Sequence, residues 1–180
     1  QGDMLVTPLQ LATATSVIAN RGKWIAPRML KSGGGLPAES AVPGMENIDI
    51  PPAHIWEYVI ESMEMVVHRG NQGFGENGTA WAYIGQDISY RMAGKSGTAQ
   101  VVEIKQGEEY DDELLDERQR KHAWFVAFAP VESPKIAIAV LLENGGGGSE
   151  FAAPVARDIV DHYLLGLAES RLSSLSGASQ

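Results

Sequence analysis

Lys95-Ser96-Gly97-Thr98 sets one ammonium group, two hydroxyls and a bare stretch of backbone within four consecutive positions. Such a set can hold a carboxylate through charge-assisted hydrogen bonds, and a main-chain N–H beside it can polarise a carbonyl. Ile88-Ser89-Tyr90-Arg91-Met92 leads in and Val101-Val102 leads out, so β-branched and aromatic residues enclose a run of small ones. Residues 88–102 therefore read as one strand. A glycine inside a strand weakens it and marks close approach by a ligand or another backbone.

Other chemistries fail on spacing. Gly94-Lys95-Ser96 invites a phosphate loop, but that motif needs glycine five positions before Gly94, where Ser89 stands, and a helix after it. The four-glycine turn Gly145-Gly146-Gly147-Gly148 opens the last helix, where an anion could sit. Glu150 at that entrance opposes it, and a plain flexible turn is expected. His54, His68, His122 and His162 fall in unrelated contexts, and Gly-x-Ser-x-Gly is absent. The charged stretch 103–121, with Asp111, Asp112, Glu113, Asp116 and Glu117, lacks metal-ligand spacing and reads as a solvated excursion or a partner-protein site. No metal and no cofactor are expected. The residues give one competent half-site and no nucleophile.

The elements that must position this half-site are legible as patterns. Thr7-Pro8-Leu9-Gln10 starts a helix with a capping box, and Asn20-Arg21-Gly22 stops it. Leu11, Ala14, Val17 and Ile18 supply its inner face. Residues 24–30 read as a short extended piece and 31–52, rich in Gly, Pro and Ser, as a surface connection. A second helix is expected over 53–69, burying Trp56, Val59, Met63, Val66 and Val67. A loop over 71–78 and one helical turn over 79–84 then enter the central strand. The apolar runs 123–129 and 136–142 form a hairpin around Pro130 and Pro134, with both faces covered. A last helix over 151–167 turns Ala152, Val155, Ala156, Ile159, Val160, Tyr163 and Leu164 inward. The fold class is α+β: an antiparallel sheet with helices packed on it.

The whole chain has the length of one ordinary domain, and its net charge of −9 excludes a nucleic-acid partner. It contains no cysteine, no visible signal peptide and no apolar run long enough to span a membrane. It opens on Gln1-Gly2-Asp3 with no initiator methionine, so a piece of a longer protein is expected.

Lys95-Ser96-Gly97-Thr98 resembles the third motif, Lys-Ser/Thr-Gly, of the penicillin-recognising serine enzymes. Gln1-Gly2 with Thr7-Pro8-Leu9-Gln10-Leu11-Ala12 resembles a helix start of class B penicillin-binding proteins. Asn77-Gly78-Thr79-Ala80, Ala93-Gly94 through Gln100-Val101, Ala127-Phe128-Ala129-Pro130 and Leu142-Glu143-Asn144-Gly145-Gly146 resemble their cell-elongation branch, penicillin-binding protein 2. The ordered series runs from Gln1 to Gly166.

The resemblance implies the C-terminal part of an incomplete penicillin-binding, β-lactamase-like transpeptidase domain over 1–167, and a flexible tail over 168–180. It implies a D,D-transpeptidase that cross-links peptidoglycan and is acylated by β-lactams. Lys95 and Thr98 would be catalytic, Lys95 through positive potential and proton movement, Thr98 through an oxyanion-hole N–H. Ser96, Gly97, Thr98 and Gln100 would bind substrate, with Gly97 letting the acyl chain lie along the strand. Partners would be a stem peptide ending in D-Ala-D-Ala, β-lactams, and cell-elongation membrane proteins including a glycosyltransferase. The place would be the periplasmic face of the bacterial inner membrane, with the anchor outside this chain. The family's Ser-x-x-Lys and Ser-x-Asn motifs are absent, and Ser133-Pro134-Lys135 has the wrong spacing. Alone, the chain should therefore carry no acyl-enzyme chemistry. Two rivals are a β-lactamase or β-lactam sensor and a non-catalytic binding module.

Overall fold

The computed structural model describes residues 5–27, 47–48, 52, 54–73, 75–100 and 115–166. Helix α1 spans Pro8–Ala19 and begins as its sequence dictates. The Gln10 N–H donates to Thr7 Oγ1 at 3.2 Å and the Thr7 N–H to Gln10 Oε1 at 2.8 Å. A cap of this kind stabilises a helix by about 1 kcal/mol. Arg21 and Gly22 then take positive φ angles of 53° and 91°, ending it. The inner face differs from expectation: Thr15, Val17 and Ala19 are buried while Ala14 is exposed. Thr15 tolerates burial because its hydroxyl donates to the Leu11 carbonyl at 2.8 Å.

Helix α2 spans His54–His68 and buries Trp56, Ile60, Met63 and Val67. Those positions follow the 4-3-4 spacing of one helical stripe. Val59 and Val66, expected in the core, lie beside that stripe; Val59 is exposed and Val66 half-buried. After a loop, the helical turn expected over 79–84 is a π-helical turn at Trp81–Gly85.

The sheet has three antiparallel strands in the order β1-β2-β3: β1 Ala93–Ala99, β2 His122–Ala129 and β3 Ile136–Leu142. Ser96 faces Phe125 and Lys95 faces Val126 across the first ladder, and Phe125 faces Val140 across the second. The hairpin between β2 and β3 is as read, closed by the Lys135 N–H donating to the Ala129 carbonyl at 2.9 Å. Its strands are less enclosed than their continuous apolar runs suggest. β2 alternates between buried and half-buried before becoming fully buried from Ala127 to Ala129, and in β3 only Val140 is buried.

A second π-helical turn, Gly148–Ala152, feeds α3, Ala153–Leu165, which stops at Gly166 with φ of +70°. Two cores clothe the sheet. Phe125, Ala127, Ala129 and Val140 pack with Ala153, Ala156 and Val160 of α3 and with Ile84 and Met92. Phe128 and Ala93 pack with Ala19 of α1 and with Ile60 and Met63 of α2. Val155, Ile159 and Tyr163, expected inside, are exposed at 38%, 43% and 61%. Asp161 takes a buried place on α3 because it has partners for its charge: Tyr90 Oη donates to its Oδ1 at 2.7 Å, and Arg157 Nε lies 3.4 Å from its Oδ2. The expectations for 28–46, 101–114 and the tail 168–180 lie outside the described residues.

Candidate active site on an edge strand

β1 starts later than its sequence suggests. Residues 88–92 are not strand, since their polar groups go to neighbouring elements rather than to a ladder. Tyr90 reaches Asp161 of α3, and Arg91 makes a two-pronged pair with Glu64 of α2, both contacts 2.6 Å. The Met92 N–H donates to His68 Nε2 at 2.9 Å, and the Val131 N–H to the Arg91 carbonyl at 2.9 Å. The strand is thus fastened at its entrance to a helix of each layer. Burial of the His68 ring, chiefly, holds its pKa below the ordinary value; Glu64 opposes this and Arg91 reinforces it.

From there the strand runs along the sheet edge. Ala93 and Gly94 are buried, Lys95 is exposed, and Ser96, Gly97, Thr98 and Ala99 are half-buried. Gly94 has no room for a side chain: a Cβ there would stand 2.6 Å from Phe125 Cζ. Lys95 reaches over the open side, and its Nζ donates to the Ser96 carbonyl at 2.7 Å. It stands at a groove of about 550 Å³ whose other wall is α2, with Ile55, Tyr58, Val59, Met63 and Val66 as apolar lining and His54 and Ser62 between them. This accounts for the exposure of Val59 and Tyr58, which form a second stripe turned to the groove.

Strand alternation divides the motif. Ser96 and Thr98 lie opposite Phe125 and Ala123 and share their face, whereas Lys95 and Gly97 share the face of Val126 and Trp124. Lys95 and Thr98 are separated by about 10 Å of strand at roughly 3.3 Å per residue. A ligand meeting both must lie extended along the edge. Gln100 follows the strand and is exposed.

The geometry offers a cation beside an apolar wall, where attraction for a carboxylate is stronger than in open water. It also offers edge-strand main-chain groups to which a peptide can add as a strand. No nucleophile is assembled with them among the described residues. Ser62, which the sequence did not single out, brings an aliphatic hydroxyl to the groove, but its Oγ donates to the Tyr58 carbonyl at 2.7 Å. An activating lysine three residues on would stand where Met65 is. His122 is structural, its Nδ1 accepting the Asn144 N–H at 2.9 Å.

Residues 1–161 match the family model of the penicillin binding protein transpeptidase domain. The chain belongs to that family. It is 41% identical over 166 residues to the peptidoglycan D,D-transpeptidase MrdA of Haemophilus influenzae, covering 91% of this chain and 24% of that protein. The chain thus spans about a quarter of the length of this curated relative.

Among solved structures, it superposes on Pseudomonas aeruginosa PBP2 in complex with WCK 5153 with a TM-score of 0.73, at 41% identity over 92% of this chain and 32% of that one. The Helicobacter pylori complex of PBP2 with MreC matches at a TM-score of 0.63 and 28% identity, over 92% of this chain and 26% of that one. The penicillin G acyl-enzyme of penicillin-binding protein A from M. tuberculosis gives 0.55 and 27%, over 91% of this chain and 33% of that one. The antiparallel sheet with its helices is accordingly part of a penicillin-binding transpeptidase domain.

Proposed function

We propose that this chain is the carboxylate-gripping part of a peptidoglycan D,D-transpeptidase that cross-links stem peptides during cell elongation and is acylated by β-lactams. The observation that carries the reading is Lys95, exposed on an edge strand and facing an apolar groove, with Thr98 half-buried on the same strand. Lys95 supplies positive potential, and the Ser96 and Thr98 hydroxyls take the substrate's terminal carboxylate. Gly97 leaves the acyl chain space against the strand. The Thr98 N–H is one of the donors to the carbonyl oxygen as it becomes an oxyanion, worth about 3 kcal/mol of barrier. Gln100 extends the binding edge.

A serine from an upstream segment attacks the D-Ala-D-Ala carbonyl. Its Oγ–carbon bond forms, the amide bond to the last D-Ala breaks, and that residue leaves as an amine carrying the proton the serine gave up. An amine of a neighbouring stem peptide then attacks the ester, forming the cross-link and returning the serine. This activity belongs at the periplasmic face of the inner membrane, beside membrane proteins of cell elongation including a glycosyltransferase. The MreC complex of the Helicobacter pylori relative supports an assembly of that kind.

Fluorescent-penicillin labelling of this chain, with and without the upstream half of the domain, tests the reading. The complemented pair should label and hold the label; the chain alone should not. Labelling of the chain alone would reveal a nucleophile in it, and rapid loss of label from the pair would favour a β-lactamase.

A further inference from the structure

The four glycines before α3 do not share one role. Gly146 has a φ of +77°. Gly147 has an ordinary φ of −84° and open surroundings: a Cβ there would lie 3.8 Å from its nearest neighbour, in the Glu150 side chain. Gly148 is buried, and a Cβ on it would stand 2.2 Å from the Trp124 carbonyl oxygen, 2.5 Å from the Gly97 oxygen and 3.0 Å from the Gly97 nitrogen. Those are main-chain atoms of two residues paired across the β1-β2 ladder, so no side chain can swing aside. Behind the turn, Ala152, Ala153 and Ala156 are sunk in the core, so the turn cannot back away either.

We infer that Gly148 is a positioning residue for acyl transfer: its missing side chain lets the entrance of α3 rest directly on Gly97, and that seat fixes the pitch of Thr98. The inference builds on the reading of β1 given under Proposed function. A Cβ at Gly148 needs about 1.2 Å of relief to pass from 2.2 Å to the 3.4 Å of ordinary contact. Oxyanion donors act within a window of a few tenths of an ångström, and misplacement by about 1 Å can cost on the order of 100-fold in rate.

The test compares Gly148→Ala with Gly147→Ala in the full-length protein containing this chain. The dependence of labelling rate on fluorescent-penicillin concentration separates initial binding from the acylation step. Gly148→Ala should slow acylation tenfold or more with a smaller change in initial binding, and Gly147→Ala should match the parent. A folded Gly148→Ala variant that acylates within twofold of the parent overturns the inference while leaving the proposed function standing.

Should that variant not fold, hydrogen exchange on the unmutated protein decides. Acylation should slow exchange in 145–152 together with 93–99, and protection confined to 93–99 overturns the inference. A parent protein that never labels rejects the proposed function, and Gly148's role with it.

Discussion

The main-chain N–H of Met92 donates to Nε2 of His68 at 2.9 Å, so the entrance of β1 hangs on an imidazole. That nitrogen accepts only while it carries no proton. Burial of the ring lowers the His68 pKa, with Arg91 acting in the same sense and Glu64 against it; Glu61 and Glu132 face Arg91 at the edge of this cluster. The folded protein therefore binds a proton here less readily than the unfolded chain. The contribution is fully present above the unfolded pKa of about 6.5 and is lost as pH falls through the lower folded value.

Urea midpoints should accordingly drop between about pH 7.5 and about pH 5.5. His68→Gln, whose amide oxygen can accept the same N–H without titrating, should flatten that dependence. An unchanged pH slope in the variant would remove His68 from the account.

Lys95→Ala should separate chemistry from folding. The side chain is exposed and donates to its own neighbour's carbonyl, so stability should change by no more than about 0.5 kcal/mol. Penicillin labelling of the complemented domain should fall by about 100-fold or more, in line with loss of an electrostatic stabiliser. Thermal midpoint and labelling rate, measured on one preparation, check both halves.

Tyr90→Phe removes the hydroxyl that donates to Asp161 Oδ1 at 2.7 Å. Hydrogen bonds to charged groups contribute roughly 1.5–3 kcal/mol, and a destabilisation in that range is expected from urea unfolding. Asp161→Asn should cost at least as much, since its amide can still accept from Tyr90 but leaves the nearly buried Arg157, 3.4 Å away, without its counter-ion.

Gly94→Ala drives a methyl group to 2.6 Å from the Phe125 ring, which is fully buried. Overpacking of this kind costs roughly 1–3 kcal/mol. Gly73→Ala makes a poor control despite open space, because φ there is +114°; Gly147→Ala serves instead. Equal denaturation midpoints for Gly94→Ala and Gly147→Ala would contradict the crowding.

Where sequence reading succeeded, local chemistry was sufficient. The Thr7–Gln10 box, the Asn20-Arg21-Gly22 stop, the Pro-bracketed hairpin and the run of small residues in β1 each announce themselves within a few positions. It failed where tertiary partners decide. β-branched and aromatic residues favour a strand through 88–92, whereas Tyr90, Arg91 and Met92 spend their polar groups on α3 and α2. Helical spacing placed Val59 and Val155 inside, yet periodicity cannot tell which of two adjacent apolar stripes meets the sheet. The groove beside Lys95 follows from that ambiguity: one stripe of α2 fills the core and the other is left as its wall. Gly148 read as one of four interchangeable glycines, because contact with a strand some fifty residues upstream leaves no local trace.

The outermost strand of the sheet is written Ala-Gly-Lys-Ser-Gly-Thr-Ala, so most of what it presents is amide rather than side chain. Amides survive mutation: any replacement short of proline keeps the N–H and the carbonyl. If the stem peptide adds to this edge as proposed, an inhibitor that takes hold of the same amides borrows its handholds, and drift in the gene cannot withdraw them from one and not the other. Tolerance to a compound that relies on those amides alone has to arise around the strand, in whatever sets its tilt.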